Sequence, residues 1–353
     1  MNQDKGQQII LSKDIRQELT DVIGECEHDR IFLLTDTTTE ELCTPLLNGI
    51  SAIAEAKHIV IGATDTHKNI DTLAQVWTAL GEGGASRHSL LINLGGGMVT
   101  DLGGFAASTF KRGINYINIP TTLLSMVDAS VGGKTGINFN GLKNEIGVFN
   151  SAHTVILNTE FLRTLDHENI CSGYAEMLKH GLISNSSIWE ELVGFDLDNI
   201  DYGHLQEMVA TSVAIKEKVV TEDPLEKGIR KALNLGHTVG HAFESLALRL
   251  NRPILHGYAV AWGLICELYL SAIKTGFPHD VLYQAVHFIR ENYGTFDIDC
   301  KQYPELIELM THDKKNTAGI INFTLMAGIG DIRINQTADK KEIEEALDFF
   351  REG

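Results

Sequence analysis

The chain has 353 residues, 43% of them hydrophobic and 22% charged, enough for two domains of ordinary size and typical of a globular protein. With 29 Lys and Arg against 47 Asp and Glu the net charge is −18, which argues against nucleic acid or an anionic membrane as the main partner, since either needs a basic face. Five scattered cysteines (Cys26, Cys43, Cys171, Cys266, Cys300) without a C-x-x-C pair exclude a disulfide framework and a thiolate zinc cluster, and fit a reducing cytoplasm.

The polar start, Met1 to Lys13, predicts no secretion leader, and no apolar window of about twenty residues predicts a membrane span. The first 155 residues alternate short apolar runs with helix-compatible segments. Predicted strands are Ile31–Leu34, His58–Ile61, Leu90–Leu94, Asn115–Ile119 and Thr154–Leu157, with helical spacing in Thr39–Ala54 and Asp71–Leu80. That alternation predicts a parallel sheet covered by helices, with ligands at the carboxyl ends of the strands. Asp36 closes the first of these strands, where an acid serves either a ribose hydroxyl or a helix cap.

The apolar run ending at Leu94 leads into Gly95-Gly96-Gly97 and a helix-compatible segment, Val99–Phe110. A strand running through glycines into a helix start can receive a phosphate, because backbone N–H groups approach the anion and the helix end adds partial positive charge. The spacing does not meet G-x-G-x-x-G, so a tight turn is the other reading. A second glycine-rich loop follows, Val131-Gly132-Gly133-Lys134-Thr135-Gly136, preceded by Asp128 and followed by Lys143 and Asn144.

From about residue 158 the pattern changes to helix after helix, punctuated by Asn185-Ser186, Pro224, Pro253 and Gly276-Phe277-Pro278. Ile320–Met326 and Asp331–Ile334 predict a hairpin, and Asp339–Arg351 a closing amphipathic helix. His237 and His241 are four apart, so on a helix they share one face and can chelate a metal. His256 starts a further helix, and Glu176 lies upstream with His180 four residues on. Three N/O ligands and an open position are what a catalytic zinc uses, but spacing alone does not choose the ligands.

The segments GGGxxTDLGGFxAxxxxRG, PTTLLxxVDxSVGGKTGIN and LKNxIGxF, with blocks near 173–179, 230–241, 256–263 and 313–315, resemble the 3-dehydroquinate synthase family over most of the chain. The resemblance implies a Rossmann-like α/β nucleotide-binding domain over 1–157 and a mainly α-helical metal- and substrate-binding domain over 158–353. It implies Glu176, His237 and His256 as ligands of Zn²⁺ or Co²⁺, with His241 in the active site but off the metal. Along NAD it places Asp36, Lys68, Gly95, Gly96, Gly97, Asp101, Thr121 and Thr122, with Lys134 and Lys143 nearby. Lys134, Asn144 and one of Lys314 and Lys315 would hold the substrate phosphate, and Arg112 would reach the phosphate of a neighbouring subunit, implying a homodimer. Lys216, Arg230 and Asn234 would bind the carboxylate region, Asp128 and Lys179 substrate hydroxyls, with Glu226 in the same wall. One departure concerns the ribose contact. The family's Gly-Glu-x-x-Lys is replaced by Gly62-Ala63-Thr64-Asp65-Thr66-His67-Lys68, which leaves the shorter Asp65 in that place.

The implied reaction takes 3-deoxy-arabino-heptulosonate 7-phosphate to 3-dehydroquinate and phosphate, a cytoplasmic step toward aromatic amino acids. Its steps are alcohol oxidation with NAD, phosphate elimination, re-reduction, ring opening and aldol closure. The alternatives are a carbasugar-forming sugar-phosphate cyclase, or a metal-dependent polyol dehydrogenase, which would release NADH and need no lysines around a phosphate.

Overall fold

The computed structural model describes residues 7–140, 142–311 and 320–352. The chain forms two compact units, Met1–Asp166 with Asp201–Val213, and His167–Ile200 with Ala214–Gly353.

The first unit is built on strands β1 (Gln8–Leu11), β2 (Ile31–Asp36), β3 (Lys57–Ile61), β4 (Leu90–Gly95), β5 (Asn115–Pro120), β6 (Lys134–Phe139), β7 (Leu142–Phe149) and β8 (Thr154–Leu157). Six of them form one sheet in the order β1-β8-β5-β4-β2-β3, and every pairing is parallel. β4 and β8 are buried along their whole length, as strands covered on both faces must be. Helices α1 (Ile15–Glu25), α2 (Thr37–Leu42), α3 (Ser51–Ala54), α4 (Ile70–Glu82) and α5 (Gly97–Thr109) join the strands. Side chains cap the starts of α1, α2 and α4, namely Asp14, Asp36 and Asn69. The expected helix Thr39–Ala54 is broken into α2, a 3-10 turn and α3. Pro45 removes a backbone donor and Gly49 adopts φ +96°, which a continuing helix does not allow. β6 and β7 pair antiparallel as a separate ribbon, and β7 is exposed throughout.

The second unit is mainly helical: α6 (His167–Leu182), α7 (Ser186–Val193), the later part of α8 (Tyr202–Glu222), α9 (His237–Arg249), α10 (His256–Thr275), α11 (His279–Tyr293), α12 (Tyr303–Thr311) and α13 (Lys340–Glu352). The predicted hairpin is present as β9 (Asn322–Gly328) and β10 (Asp331–Thr337). α10 is its central rod, buried over most of its length and packed against α6, α9, α11, α13 and β9. Among the described residues no helix is long and apolar enough to cross a membrane.

Candidate active site

In the second unit, three helices bring one carboxylate and three imidazoles together. α6 supplies Glu176, α9 supplies His237 and His241 one turn apart, and α10 opens with His256. The approach of α6 to α10 depends on Gly257, where any Cβ would strike the backbone of Ser172, and the Ser172 hydroxyl accepts a hydrogen bond from the Gly257 N–H at 3.1 Å. The three histidines each offer a ring nitrogen within 4.8 Å of the others. Glu176 Oε1 lies 3.3 Å from His237 Nε2 and 3.6 Å from His256 Nε2, while Oε2 accepts a hydrogen bond from Lys179 Nζ.

The second ring nitrogens are held as well. His237 Nδ1 lies 3.0 Å from the Leu235 carbonyl, and His256 Nδ1 lies 3.4 Å from Glu244 Oε2, so both Nε2 atoms turn toward Glu176. Burial would raise the Glu176 carboxyl, but Lys179 and His237 beside it hold it well below the usual carboxylate range. Burial lowers His237 to about 4, so it is neutral and fit to donate a lone pair near neutral pH. Burial also acts to lower His256, yet hydrogen bonds to Glu176 and Glu244 outweigh it and push that ring up to about 10.

These residues fit a divalent metal. Glu176 Oε1 is fully buried and takes no well-aligned hydrogen bond, although the ring nitrogens face it. A buried anionic oxygen among imidazole nitrogens is the donor set of zinc or cobalt.

Two carboxylates that the sequence reading passed over shape this group. Glu244 follows His237 and His241 at i+7 and i+3, and that shared helical face is the signal that could have found it. Glu267, on α10 and fully buried, accepts from the Gly236 and Val239 N–H groups at 2.7 and 3.1 Å. It thereby caps α9 in place of a side chain from the cap residue itself, Gly236. Its signal was a lone acid in the apolar run Trp262-Gly263-Leu264-Ile265-Cys266-Glu267-Leu268.

The same unit holds Arg230 and Lys216, both buried, and Glu226 and Asn234, joined by a 3.0 Å hydrogen bond. Asp223 organises this turn by accepting from the backbone of Lys227, Gly228 and Arg230 at 3.0, 2.6 and 3.1 Å. Arg230 donates to the Pro224 carbonyl at 2.7 Å, and Glu226 takes a left-handed φ of +58°. Glu226 and Asn234 line a cavity of about 390 Å³, which the metal-type group does not line. Lys314 and Lys315 lie outside the described residues.

In the first unit, the ends of β4 and β5 bring two loops side by side. Gly95 pairs with Pro120, and the Thr121 N–H donates to the Gly95 carbonyl at 3.0 Å, so Gly95-Gly96-Gly97 adjoins Thr121-Thr122. α5 starts at this point with Gly96 as its cap, no side-chain capping bond and no acid in its first turn, unlike α1, α2 and α4. A 13-residue helix with uncompensated first-turn N–H groups fits a pyrophosphate. Asp101 lies on α5 and pairs with the buried Lys68 at 2.5 Å.

Lys68 Nζ also donates to Asn144 Oδ1 at 2.5 Å, and Lys143 lies 3.8 Å from Asp65 Oδ2. Lys134 starts β6, and Asp128 sits on the π turn Ser125–Ala129 after β5. Asp36 accepts from the N–H groups of Thr38 and Thr39, both at 2.9 Å, and so acts as the helix cap anticipated as one of its two uses. Arg112 is exposed between α5 and β5, with φ +70° beside Lys111 at +49°.

The family models 3-dehydroquinate synthase N-terminal and C-terminal match residues 58–172 and 173–316. A 3-dehydroquinate synthase of Parabacteroides distasonis is 56% identical over 98% of each chain, and one of Oceanobacillus iheyensis is 36% identical over 98% of this chain and 95% of that one. Among solved structures, 2-deoxy-scyllo-inosose synthase complexed with carbaglucose-6-phosphate, NAD⁺ and Co²⁺ superposes with a TM-score of 0.84 at 22% identity, covering 98% and 96% of the two chains. The 2-epi-5-epi-valiolone synthase of Streptomyces hygroscopicus, with NAD⁺ and Zn²⁺ bound, gives 0.84 at 24% identity, covering 100% and 98%. At those identities the likeness shows a shared fold. The family models and the curated relatives show more: this chain belongs to the 3-dehydroquinate synthase family.

Proposed function

We infer that the chain is a 3-dehydroquinate synthase, a phosphate-eliminating carbon–oxygen lyase. It takes 3-deoxy-D-arabino-heptulosonate 7-phosphate to 3-dehydroquinate and phosphate, in the shikimate route to aromatic amino acids. The observation that carries this is the 56% identity to a synthase of that name over 98% of both chains. NAD and Zn²⁺ or Co²⁺ are its cofactors, a reading supported by the uncapped start of α5 and the buried Glu176 oxygen among imidazoles.

When bound, the ion supplies Lewis-acid stabilisation of a developing alkoxide, and the nucleotide a reversible hydride acceptor. Glu176, His237 and His256 are the ligands in this reading, with His241 beside them. The 4.8 Å grouping of all three rings makes His241→Ala the informative control. The proposed nucleotide contacts Asp36, Asp65, Lys68, Gly95, Gly96, Gly97, Asp101, Thr121, Thr122, Lys134 and Lys143 all fall within 1–157, and the metal ligands within 158–353.

The chain's own groups then bind and orient. Lys216 and the forked donors of Arg230 neutralise the substrate carboxylate, and Asn234 and Glu226 fix its neighbouring hydroxyls. Lys179 and Asp128 hold hydroxyls at the reacting carbons. Lys134 and Asn144, with Lys314 or Lys315, steady the phosphate as it leaves and charge builds on it. Oxidation, elimination, re-reduction, ring opening and aldol closure follow in order, so no redox equivalent is consumed overall.

The working form is a cytoplasmic homodimer. Support for the dimer comes from exposed Arg112, free to reach a second copy, and from the exposed apolar residues Leu142, Ile146, Val148 and Phe149 of β7. The fold alone also suits carbasugar-forming cyclases and polyol dehydrogenases. Phosphate release from the heptulosonate phosphate and from sedoheptulose 7-phosphate, which lacks the carboxylate, separates the readings. The acid substrate is preferred here, and equal or better use of the uncharged sugar would overturn it.

A further inference from the structure

One side chain in the first unit has more structural partners than its place in the sequence explains. Asn138, on β6, uses its backbone N–H, its amide NH₂ and its amide oxygen on three residues of two segments. The N–H donates to the Lys68 carbonyl at 2.8 Å, Nδ2 donates to Asp65 Oδ2 at 3.1 Å, and Oδ1 accepts from the Asn144 N–H at 2.9 Å. Lys68 closes the loop from the other side, its ammonium lying 2.5 Å from both Asp101 Oδ2 and Asn144 Oδ1. Two residues thus tie the Asp65–Lys68 segment and α5 to the paired strands that carry Lys134, Lys143 and Asn144.

The consequence for Asn144 is specific. It holds a left-handed φ of +50°, which Asn tolerates but does not prefer, and two hydrogen bonds on this network keep it there. Its amide oxygen accepts from Lys68, which assigns the other end of the amide as the donor. Lys68 is almost fully buried, so its charge leans on these close partners, Asp101 above all. A ligand that orders the Asp65–Lys68 segment therefore also orders the Asn144 amide.

We propose that Asn138, together with Lys68, is a positioning element that couples the nucleotide site to the phosphate-binding strands, so that binding at either tightens binding at the other. This rests on the reading that Lys68 and Asp101 belong to an NAD site and Asn144 to a phosphate site. Ordering the shared network is an entropic cost that the first ligand meets and the second does not, and the coupling is reciprocal.

The experiment titrates NAD⁺ by calorimetry in phosphate-free buffer and again at saturating inorganic phosphate, for wild type and Asn138→Ala. Wild type is expected to bind NAD⁺ at least about fivefold tighter with phosphate present, the lower end of ordinary allosteric coupling. Asn138→Ala is expected to bring that ratio to near one, while NAD⁺ affinity without phosphate changes less than the ratio does. A merely structural role would lower both affinities and leave their ratio intact. Wild type without coupling, or a variant that keeps it, overturns the proposal. Hydrogen exchange on wild type needs no variant: NAD⁺ alone should slow exchange in peptides covering 142–149, and unchanged exchange there overturns the proposal too. If wild type binds no NAD⁺ at all, it is the nucleotide-site reading that fails, and this inference falls with it.

Discussion

Glu176 holds two tasks, and Glu176→Gln followed by Lys179→Met separates them. The Glu176 and Lys179 side chains are 0% and 1% exposed, so their ion pair is not screened by water. Removing one partner of a buried pair costs about 3–5 kcal/mol, because the other charge is left unsolvated. Gln retains a carbonyl oxygen for the ammonium, a hydrogen bond to a charge worth about 1.5 kcal/mol, which leaves a net loss of about 1.5–3.5 kcal/mol. At about 2–4 °C per kcal/mol for a unit of this size, the metal-free variant should melt about 3–14 °C below wild type. Adding Lys179→Met removes the stranded charge and should return most of that loss. Metal uptake should not return, because the anionic donor is still missing. The assays are calorimetry on EDTA-treated protein and metal content by mass spectrometry after dialysis against zinc. Full metal content in Glu176→Gln would refute the ligand role, and a double variant melting as low as the single would refute the buried-pair argument.

Two further predictions concern His256 and Arg230. His256 has a folded-state value of about 10 against an ordinary 6.5, so its contribution is fully present below about pH 6.5 and is lost as pH rises toward 10. Metal-stripped protein should therefore lose melting temperature across that window, and Glu244→Gln should flatten the loss; an unchanged slope in the variant would contradict it. Arg230→Ala should lower kcat/KM on the heptulosonate phosphate about 10- to 150-fold, from a charged hydrogen bond worth about 1.5–3 kcal/mol. Its effect on sedoheptulose 7-phosphate should be smaller, and equal losses on both substrates would mean that Arg230 does not meet the carboxylate.

How much of this was legible in the sequence varied with how local the signal was. The strand–glycine–helix unit from Leu90 to Thr109 could be read directly, because an apolar run, three glycines and a helix start are all contiguous. The His237/His241 pair was equally plain from helical spacing. β1 escaped notice because Gln8-Ile9-Ile10-Leu11 is short and lies at the sheet edge beside β8. β7 escaped because Leu142–Phe149 is exposed on every residue and so carries no in–out alternation. Glu244 and Glu267 gain their roles only when α9 meets α10, a tertiary contact that no single segment announces. Asn138 was inside a quoted motif, but its three partners come from segments up to 73 residues away.

The most direct test of the central claim follows NADH absorbance and phosphate release together, with the heptulosonate phosphate in large excess over NAD⁺ and with zinc or cobalt present. A dehydroquinate synthase returns the hydride it takes, so phosphate should accumulate over many turnovers per NAD⁺ with no net NADH. Stoichiometric NADH without phosphate release would contradict the account and point to a polyol dehydrogenase.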